Sequence, residues 1–304
     1  MPARHKSQKA LIPLWAALFL WGMHGPMGRY LALRNVPILA VMSLRLWIGS
    51  IVFWTVLLVA KKFKPVPLTF LPKLLFLSVV GVYLNSVPFH YGMNYIPATL
   101  VMLFENLSPF FVIFLIWMIE SKRPSKTETF CQIIAFSGVL LIMLGKGGLR
   151  ESGEHFYLGV ALEVLAGITW AIYGYFSAKW VQEIGARETH EKFFPSLNMV
   201  CQLFTVAAVI SSPHLLSLKG AVISQFDWTL IIILGLFQTG ITFMLWNYAL
   251  TILPVTMVST SFYMTIVFTC INDVLFLGLK LNWILVVGAL LILGSALKLT
   301  RAAT

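Results

Sequence analysis

A chain of 304 residues with 59% hydrophobic and only 11% charged residues is too apolar for a soluble protein, since soluble proteins carry about a quarter charged residues. Its formal net charge of +11 suggests nucleic-acid binding at first sight. The basic residues are spread among the short segments between apolar runs, however, and form no single basic domain. Composition therefore excludes a soluble domain and indicates an integral membrane protein.

In chain order, ten apolar runs are long enough to cross a bilayer, which takes roughly 20 helical residues. They lie at residues 11–33, 37–60, 71–91, 97–119, 130–145, 157–181, 193–212, 228–251, 255–277 and 283–299. The fifth and tenth runs are the shortest, and near-spans are an alternative interpretation of these two. The predicted fold is all-α, a polytopic membrane protein with ten transmembrane helices.

Basic residues are distributed unequally between the two sides of the predicted membrane. With the N-terminus inside, 15 of the 22 basic residues fall on the inner side and six on the outer side, while Arg45 lies within the second span. Inner loops of membrane proteins are enriched in Lys and Arg, so both termini are predicted to be cytoplasmic. The predicted location is the plasma membrane, or the inner membrane of a bacterium. The basic residues are expected to face the lipid bilayer's anionic headgroups rather than nucleic acid.

Two sets of residues recur along the chain at fixed distances. The pairs are Phe89/Trp246, Tyr91/Tyr248, Pro97/Pro254, Thr99/Thr256 and Val101/Val258 at a distance of 157 residues, and Ala17/Ala166, Trp21/Trp170 and Gly25/Gly174 at 149. The predicted repeats are residues 1–150 and 151–304, with five helices each. Because five is odd, the second repeat enters the membrane from the opposite side, and the halves are inverted. Inverted repeats are typical of transporters that bind substrate between their halves.

Several motifs resemble one family in their order and spacing. They are Trp21 with Gly22, Arg45, Tyr91 with Pro97, Pro109, and the run Trp246, Asn247, Tyr248, Ala249 and Leu250 with Pro254. On these motifs nearly the whole chain resembles the EamA-type branch of the drug/metabolite transporter superfamily. The resemblance implies transport of a small solute, commonly metabolite export, through a cavity between the halves. The Gly-Glu pair that the family often has after helices 4 and 9 is absent, since residues 121–123 read Ser-Lys-Arg and residues 278–280 read Gly-Leu-Lys.

Six ionisable residues lie inside predicted spans, where a charge costs about 2.5–3.5 kcal/mol or more and so needs a reason to be present. They are His24, Arg45, His90, Glu105, Glu163 and Asp273.

Glu105 is the first candidate for substrate binding and for proton coupling. It lies near the predicted midplane, and Pro109 has no N–H with which to bond its backbone carbonyl. The adjacent Asn106 adds an amide to this site. Such a cluster suits a cationic substrate group or a coupling proton. The structural alternatives are a neutral, hydrogen-bonded glutamic acid or an ion pair with Arg45.

The two histidines and Arg45 are further candidates for substrate binding. His24 follows Gly22 in a segment that Pro26 is expected to break, and a broken helix at membrane depth is tolerated where it lines a cavity. His90 has the polar Asn247 as its repeat counterpart. Each histidine is otherwise a neutral, hydrogen-bonded group. Arg45 keeps its charge and needs an anion, a set of backbone carbonyls or water around it, and the two main interpretations are an ion pair with an acidic residue and direct contact with substrate.

Asp273 is a second candidate for proton coupling. For Glu163 the sequence leaves open whether the side chain has a functional or a structural role. Both lie closer to the ends of their predicted spans, where a side chain can instead reach towards the headgroups.

Aromatic residues in the middle of spans are candidates for the walls of a substrate cavity. They are Trp21, Trp170, Trp246 and Tyr263. Such rings can stack on flat or cationic substrates, and ordinary core packing is the alternative.

The favoured function is a secondary active transporter that exports a small metabolite, such as an amino acid, by alternating access, with proton coupling or exchange. A variant within this class is an exchanger for a nucleoside-type cation such as S-adenosylmethionine. A non-transporting receptor or scaffold is the alternative of another class. An enzyme is disfavoured, because no catalytic motif or metal-ligand spacing occurs and no cofactor is implied. Glycines in the fifth and tenth spans favour close helix packing and suggest a homodimer.

Overall fold

The computed structural model describes residues 2–96, 98–146, 153–185, 193–277 and 280–303. Over these ranges the regular structure is entirely helical and contains no β-strand, which confirms the predicted all-α class. Pro97 and residues 278–279 of the sequence motifs lie outside the described residues, as does the predicted boundary between residues 150 and 151. The division into two repeats at that boundary stays a prediction.

The first half of the described chain forms five membrane helices. Helix 1 consists of Pro2–Trp21 and His24–Leu33, helix 2 is Ile38–Val59, helix 3 combines Leu71–Phe76, Leu77–Tyr83 and Leu84–Gly92, helix 4 consists of Ala98–Glu105 and Ser108–Glu120, and helix 5 is Lys126–Gly145.

The second half repeats this plan. Helix 6 is Phe156–Gly185, helix 7 is Phe193–Ser211, helix 8 combines Gln225–Ile233, Leu234–Ile241 and Thr242–Leu250, helix 9 consists of Val255–Ser261 and Met264–Leu277, and helix 10 is Trp283–Ala303. Short 3-10 segments, Leu68–Phe70 and Ser212–Leu218, precede helix 3 and follow helix 7. Among the described residues, eight helices are long and apolar enough to cross a membrane, and Ala10–Trp21 and Trp283–Leu299 are shorter apolar helices. The predicted architecture of ten helices in two halves is confirmed.

Helix 5 is longer than its apolar run predicts. It begins at Lys126 rather than at residue 130, because Ser125 and Glu128 form a capping box. The Ser125 hydroxyl accepts from the Glu128 N–H at 3.1 Å, and the Glu128 carboxylate accepts from the Ser125 N–H at 2.9 Å. These bonds satisfy N–H groups that have no partner within the helix. Helix 5 is therefore a full 20-residue span, as the predicted fold requires, and the alternative interpretation as a near-span does not apply to it.

Helix 1 is interrupted at Gly22 and Met23, within the segment that Pro26 is expected to break. Pro26 lacks the N–H that would bond the carbonyl of Gly22. That carbonyl instead accepts a hydrogen bond from the Thr269 hydroxyl at 2.9 Å. The interruption therefore joins helix 1 to helix 9 and places His24 at the start of a new helical segment.

Helices 3 and 8 share an irregular feature that obeys the repeat. Each contains a π-helical segment, Leu77–Tyr83 in helix 3 and Leu234–Ile241 in helix 8, and their first residues are 157 positions apart. Helices 4 and 9 are interrupted at 106–107 and 262–263, which agrees with the same offset to within one residue. The two halves thus share the positions at which their helices depart from regular α-helix, in addition to their length and order.

Helices 5 and 10 pack tightly against each other through glycine. A Cβ on Gly138 would lie 2.5 Å from the carbonyl oxygen of Gly288, and a Cβ on Gly288 would lie 2.7 Å from that of Gly138. The absence of side chains is what allows the two backbones to approach. These glycines are used within one chain, so the homodimer stays a prediction without their support.

Substitution of Gly288 by alanine is expected to destabilise the protein. The added methyl group would overlap the backbone of helix 5, and overpacking of this kind costs about 1–3 kcal/mol. Gly294→Ala on the same helix is the matched control, because a Cβ there would meet no atom within 4 Å. Thermal unfolding of the detergent-solubilised variants should show a lower midpoint for Gly288→Ala only. Equal midpoints for both variants would contradict the described packing.

Candidate substrate cavity

A cavity lies between the two halves. Among the described residues, eight of the ten helices contribute to its wall, and helices 5 and 10 do not. Its lining residues are Trp21, His24, Met42, Arg45, Leu46, Asn85, Ser86, Phe89, His90, Met102, Glu105, Trp170, Phe204, Thr239, Phe243, Phe262 and Thr265. This wall includes six of the predicted site residues: His24, Arg45, His90, Glu105, Trp21 and Trp170.

Arg45 is held by both predicted histidines. Its Nη1 lies 2.7 Å from Nε2 of His24 and 2.8 Å from Nε2 of His90. Nδ1 of His90 lies 2.7 Å from the carbonyl oxygen of Ser86. A carbonyl can only accept, so Nδ1 of His90 carries the hydrogen, and its Nε2 is free to accept from Arg45. The guanidinium thus donates to two imidazole rings, which orient it from helices 1 and 3.

Glu105 has no hydrogen-bond or ion-pair partner among the described residues, although its charge and that of Arg45 attract each other. Neither structural alternative for Glu105, a hydrogen-bonded glutamic acid or an ion pair with Arg45, is formed among the described residues. Instead the cavity wall contains a positively charged group from helix 2 and a free carboxyl group from helix 4.

The backbone around Glu105 departs from the helix as Pro109 predicts. Helix 4 stops at Glu105 and resumes at Ser108. A Cβ on Gly167 of helix 6 would lie 3.0 Å from the carbonyl oxygen of Phe104 and 3.5 Å from that of Glu105, so helix 6 approaches this interruption closely. Asn106 is buried outside the cavity lining and donates to the carbonyl of Met102 at 2.7 Å.

The predicted aromatic residues separate into two groups. Trp21 and Trp170 line the cavity, with ring centroids 5.3 Å apart. Trp246 does not reach the wall and packs behind Trp21, with the centroids 5.0 Å apart. Tyr263 is fully buried outside the lining, and its nearest described ring is that of Phe136, at 6.4 Å. Trp246 and Tyr263 are thus placed as core residues that support the wall.

The two remaining acidic candidates lie away from the cavity wall. Asp273 forms an ion pair with Lys146, near the end of helix 5. Glu163 is fully buried in helix 6, and neither of its carboxyl oxygens has a hydrogen-bond partner. The expectation that Glu163 reaches towards the headgroups is wrong.

Residues 8–144 and 157–301 both match the model of one protein family, which is described as the EamA-like transporter family. The chain belongs to the EamA-like transporter family. The match confirms the resemblance drawn from the sequence motifs. Membership identifies a membrane transporter, which acts on a small-molecule substrate and resides in a lipid bilayer.

Two relatives of this EamA-like transporter are also named as transporters. An uncharacterized transporter, YetK, of Bacillus subtilis is 25% identical over 82% of this chain and 74% of its own length. An uncharacterized transporter of Archaeoglobus fulgidus is 28% identical over 54% of this chain and 56% of its own. A solved crystal structure aligns with a TM-score of 0.75 at 17% identity, over 97% of this chain and 98% of that chain, and supports the fold alone.

Sequence reasoning missed part of the wall of this EamA-like transporter. Phe243 and Thr239 of helix 8 line the cavity, as does Phe89 of helix 3. The repeat offset of 157 residues offers a signal for some of them. Ser86 and Phe243 are repeat counterparts, and both line the cavity. Thr239 lies in the π-helical segment of helix 8, which hydrophobicity does not reveal.

Proposed function

We propose that this protein is a secondary transporter that exports a small zwitterionic metabolite, such as an amino acid, across the plasma membrane by alternating access. The observation that carries the proposal is that one cavity wall contains both an oriented guanidinium, that of Arg45, and a free carboxyl group, that of Glu105. An α-amino acid carries the complementary carboxylate and ammonium groups. The rings of Trp21, Trp170 and Phe262 supply an apolar surface for its side chain.

Glu105 also provides a simple basis for proton coupling. A carboxyl group that binds a substrate ammonium must be ionised, whereas a protonated one has lost that electrostatic attraction. A proton and the substrate therefore compete for the same group. Competition of this kind drives export when protons enter and substrate leaves in alternate conformations.

Two polar contacts related by the repeat support alternating access. In the first half, His24 and His90 are joined through Arg45. Their counterparts, at offsets of 149 and 157 residues, are Tyr173 and Asn247. Asn247 donates to the Tyr173 hydroxyl at 2.8 Å and accepts from the Ser177 hydroxyl at 2.6 Å, away from the cavity lining.

The contact in the first half thus lines the cavity, while that in the second half lies away from the lining, and we interpret the end that carries it as the closed one. If the halves are inverted, the two contacts lie towards opposite membrane surfaces. With cytoplasmic termini, the closed contact of Asn247 lies on the cytoplasmic side and the cavity faces outwards. Exchange of these two arrangements between the halves would turn the cavity to the cytoplasm.

Asn247→Ala is expected to shift the population towards the cytoplasm-facing state. Each lost hydrogen bond is worth about 0.5–1.5 kcal/mol, or roughly a two- to tenfold change in the ratio of states. A cysteine at Ser86 on the cavity wall should then react more slowly with a membrane-impermeant maleimide added outside. The native Cys131, Cys201 and Cys270 are buried and give little background.

The control for this experiment is Ser295→Ala, which removes a buried hydroxyl that bonds only within helix 10. Its labelling rate should match that of the parent protein. An unchanged rate in Asn247→Ala as well would contradict the role of Asn247 in holding one side closed.

Flux into proteoliposomes tests the proposed function directly. A panel of amino acids should be compared with their amides, which lack the carboxylate, and with their N-acetyl derivatives, which lack the ammonium group. Saturable flux of at least one intact amino acid, with both derivatives poorly transported, is expected. Equal flux of all three forms would overturn recognition of a zwitterion. No flux across a broad metabolite panel, with correctly folded protein, would favour a receptor or scaffold.

The aromatic wall favours a second candidate, exchange of a nucleoside-type cation such as S-adenosylmethionine. Its adenine ring could stack on Trp21 or Trp170, and its amino-acid end could bind Arg45 and Glu105. Counterflow of labelled S-adenosylmethionine separates the two candidates. Exchange that depends on unlabelled nucleoside in the opposite compartment, without amino-acid flux, would favour the second.

A further inference from the structure

Glu163 is an acidic residue with no role in the cavity described above. Its relative exposure is 0%, and neither Oε1 nor Oε2 has a hydrogen-bond partner. An ionised carboxylate in such a place would be severely destabilised, because it is sealed from solvent and no basic group among the described residues forms an ion pair with it. Glu163 therefore holds a proton in this conformation.

One glycine makes room for this carboxyl group, and a second brings helix 4 close to the helix that carries it. A Cβ on Gly92, the last residue of helix 3, would collide with Oε1 of Glu163. Gly167 lies one helical turn beyond Glu163, on the same face, and allows the carbonyl of Glu105 to approach helix 6. Glu163 thus lies between the end of helix 3 and the interruption of helix 4.

Helices 3, 4, 7, 8 and 9 all pack against helix 6. Glu105 of helix 4 lies beside this face of helix 6, because its backbone carbonyl oxygen would be 3.5 Å from a Cβ on Gly167, one turn from Glu163. His90 of helix 3 is bonded to Arg45, and Glu120 of helix 4 is bonded to Tyr175. The two acidic residues therefore lie on adjoining segments of helices 4 and 6, with Glu163 sealed in the protein and Glu105 lining the cavity.

We propose that Glu163 is a second proton-binding residue of the transport cycle and exchanges its proton with the cavity through Glu105. The proposal rests on proton-coupled transport as the function. The two side chains are not hydrogen-bonded to each other in this structure, so the exchange requires a conformation of the cycle that brings them within reach. There the Glu163 carboxylic acid gives its proton to the Glu105 carboxylate, and Glu105 then releases it to water in the cavity. One proton moves, and no further reactant is needed. The reverse order reloads Glu163.

A purely structural role fits the surroundings of Glu163 poorly. A structural carboxyl group normally bonds to a neighbouring helix, and neither oxygen does so here. The contact with Gly92 shows that a larger residue on helix 3 would displace the group. The absence of hydrogen bonds and the space left by Gly92 therefore favour a proton-binding role over a structural one.

Glu163→Gln separates the two roles, because glutamine mimics a permanently protonated carboxyl group. Infrared difference spectra of the purified protein, recorded through a pH titration, report protonated carboxyl groups without any substrate. Two titrating buried carboxyl signals are expected in the parent protein, one lost in Glu163→Gln and the other in Glu105→Gln. Glu120→Gln, at the end of helix 4, is the matched control and should retain both.

Transport gives the second measurement. Glu163→Gln should lose pH-gradient-driven accumulation by at least about tenfold while retaining substrate counterflow, which needs no net proton movement. Glu163→Asp keeps an ionisable group and should restore part of the coupling. If glutamine prevents folding, the aspartate variant still tests the titrating signal.

Other outcomes would overturn the inference in a defined way. Identical infrared titrations of Glu163→Gln and the parent protein would show that Glu163 never releases its proton. Full gradient-driven accumulation in Glu163→Gln would do the same. Absence of any flux in the parent protein would instead remove the proposed function, and the infrared result would stand independently of it.

Discussion

Replacement of Arg45 by glutamine is expected to lower the apparent affinity for the transported amino acid by roughly 10- to 100-fold, because a hydrogen bond to a charged group is worth about 1.5–3 kcal/mol. Glutamine retains a donor but loses the positive charge and the two bonds to His24 and His90. The amino-acid amide has no carboxylate for Arg45 to bind, so its weak transport should change little in this variant. The preference for the acid over the amide should therefore nearly disappear.

Competition uptake into proteoliposomes measures this preference. Arg34→Gln is the matched control, since Arg34 pairs with Asp227 outside the cavity lining and its side chain is 48% exposed. That variant should keep the preference of the parent protein. Arg45→Lys retains the charge but cannot reproduce the planar guanidinium that donates to both rings. Its preference for the acid over the amide should therefore lie between that of Arg45→Gln and that of the parent protein. An unchanged preference in Arg45→Gln would show that Arg45 has a structural role only.

The depth of each charged residue could be predicted from the sequence, but its partner could not. Arg45, His24 and His90 were all expected inside spans, and all three line the cavity. An acid was nevertheless considered as the partner of Arg45, whereas the structure gives it two histidines. Depth follows from counting residues along a helix. The choice of partner depends on how the helices are rotated about their axes, which hydrophobicity alone leaves open.

Glu163 is a second residue whose surroundings depend on the rotation of its helix and could not be predicted from the sequence. The sequence places it about two turns from a helix end, where snorkelling is an ordinary outcome. Helix 6 begins at Phe156, and the face that carries Glu163 turns towards Gly92 rather than towards the surface. The repeat could be predicted more reliably than these side-chain contacts, because duplicated helices share breaks and π-helical segments as well as residues. Glu105 and Phe262 are counterparts in the repeat that differ in chemistry, and both line the cavity.

Glu105→Gln is expected to abolish the dependence of transport on a pH gradient. The amide cannot bind or release a proton, so the competition between proton and substrate is removed. Affinity for the intact amino acid should fall by about 10-fold or more, because the charge-assisted bond to the ammonium group is lost. The N-acetyl derivative lacks that group, so the preference for the intact amino acid over it should nearly disappear, while the preference over the amide persists. Glu105→Gln and Arg45→Gln thus affect opposite ends of the substrate.

Proteoliposomes with an imposed pH gradient measure the coupling, and derivative competition measures the preference. The control is Glu120→Gln, because Glu120 lies at the end of helix 4 and outside the cavity lining. It should keep both properties of the parent protein. If Glu105→Gln retains gradient-driven export, the coupling proton is carried elsewhere, and the pair formed by Asp273 and Lys146 becomes the next candidate. If coupling is lost but the preference is kept, Glu105 carries the proton without contacting the substrate. Loss of both the coupling and the preference for the intact amino acid would assign proton binding and substrate binding to the same carboxyl group, that of Glu105.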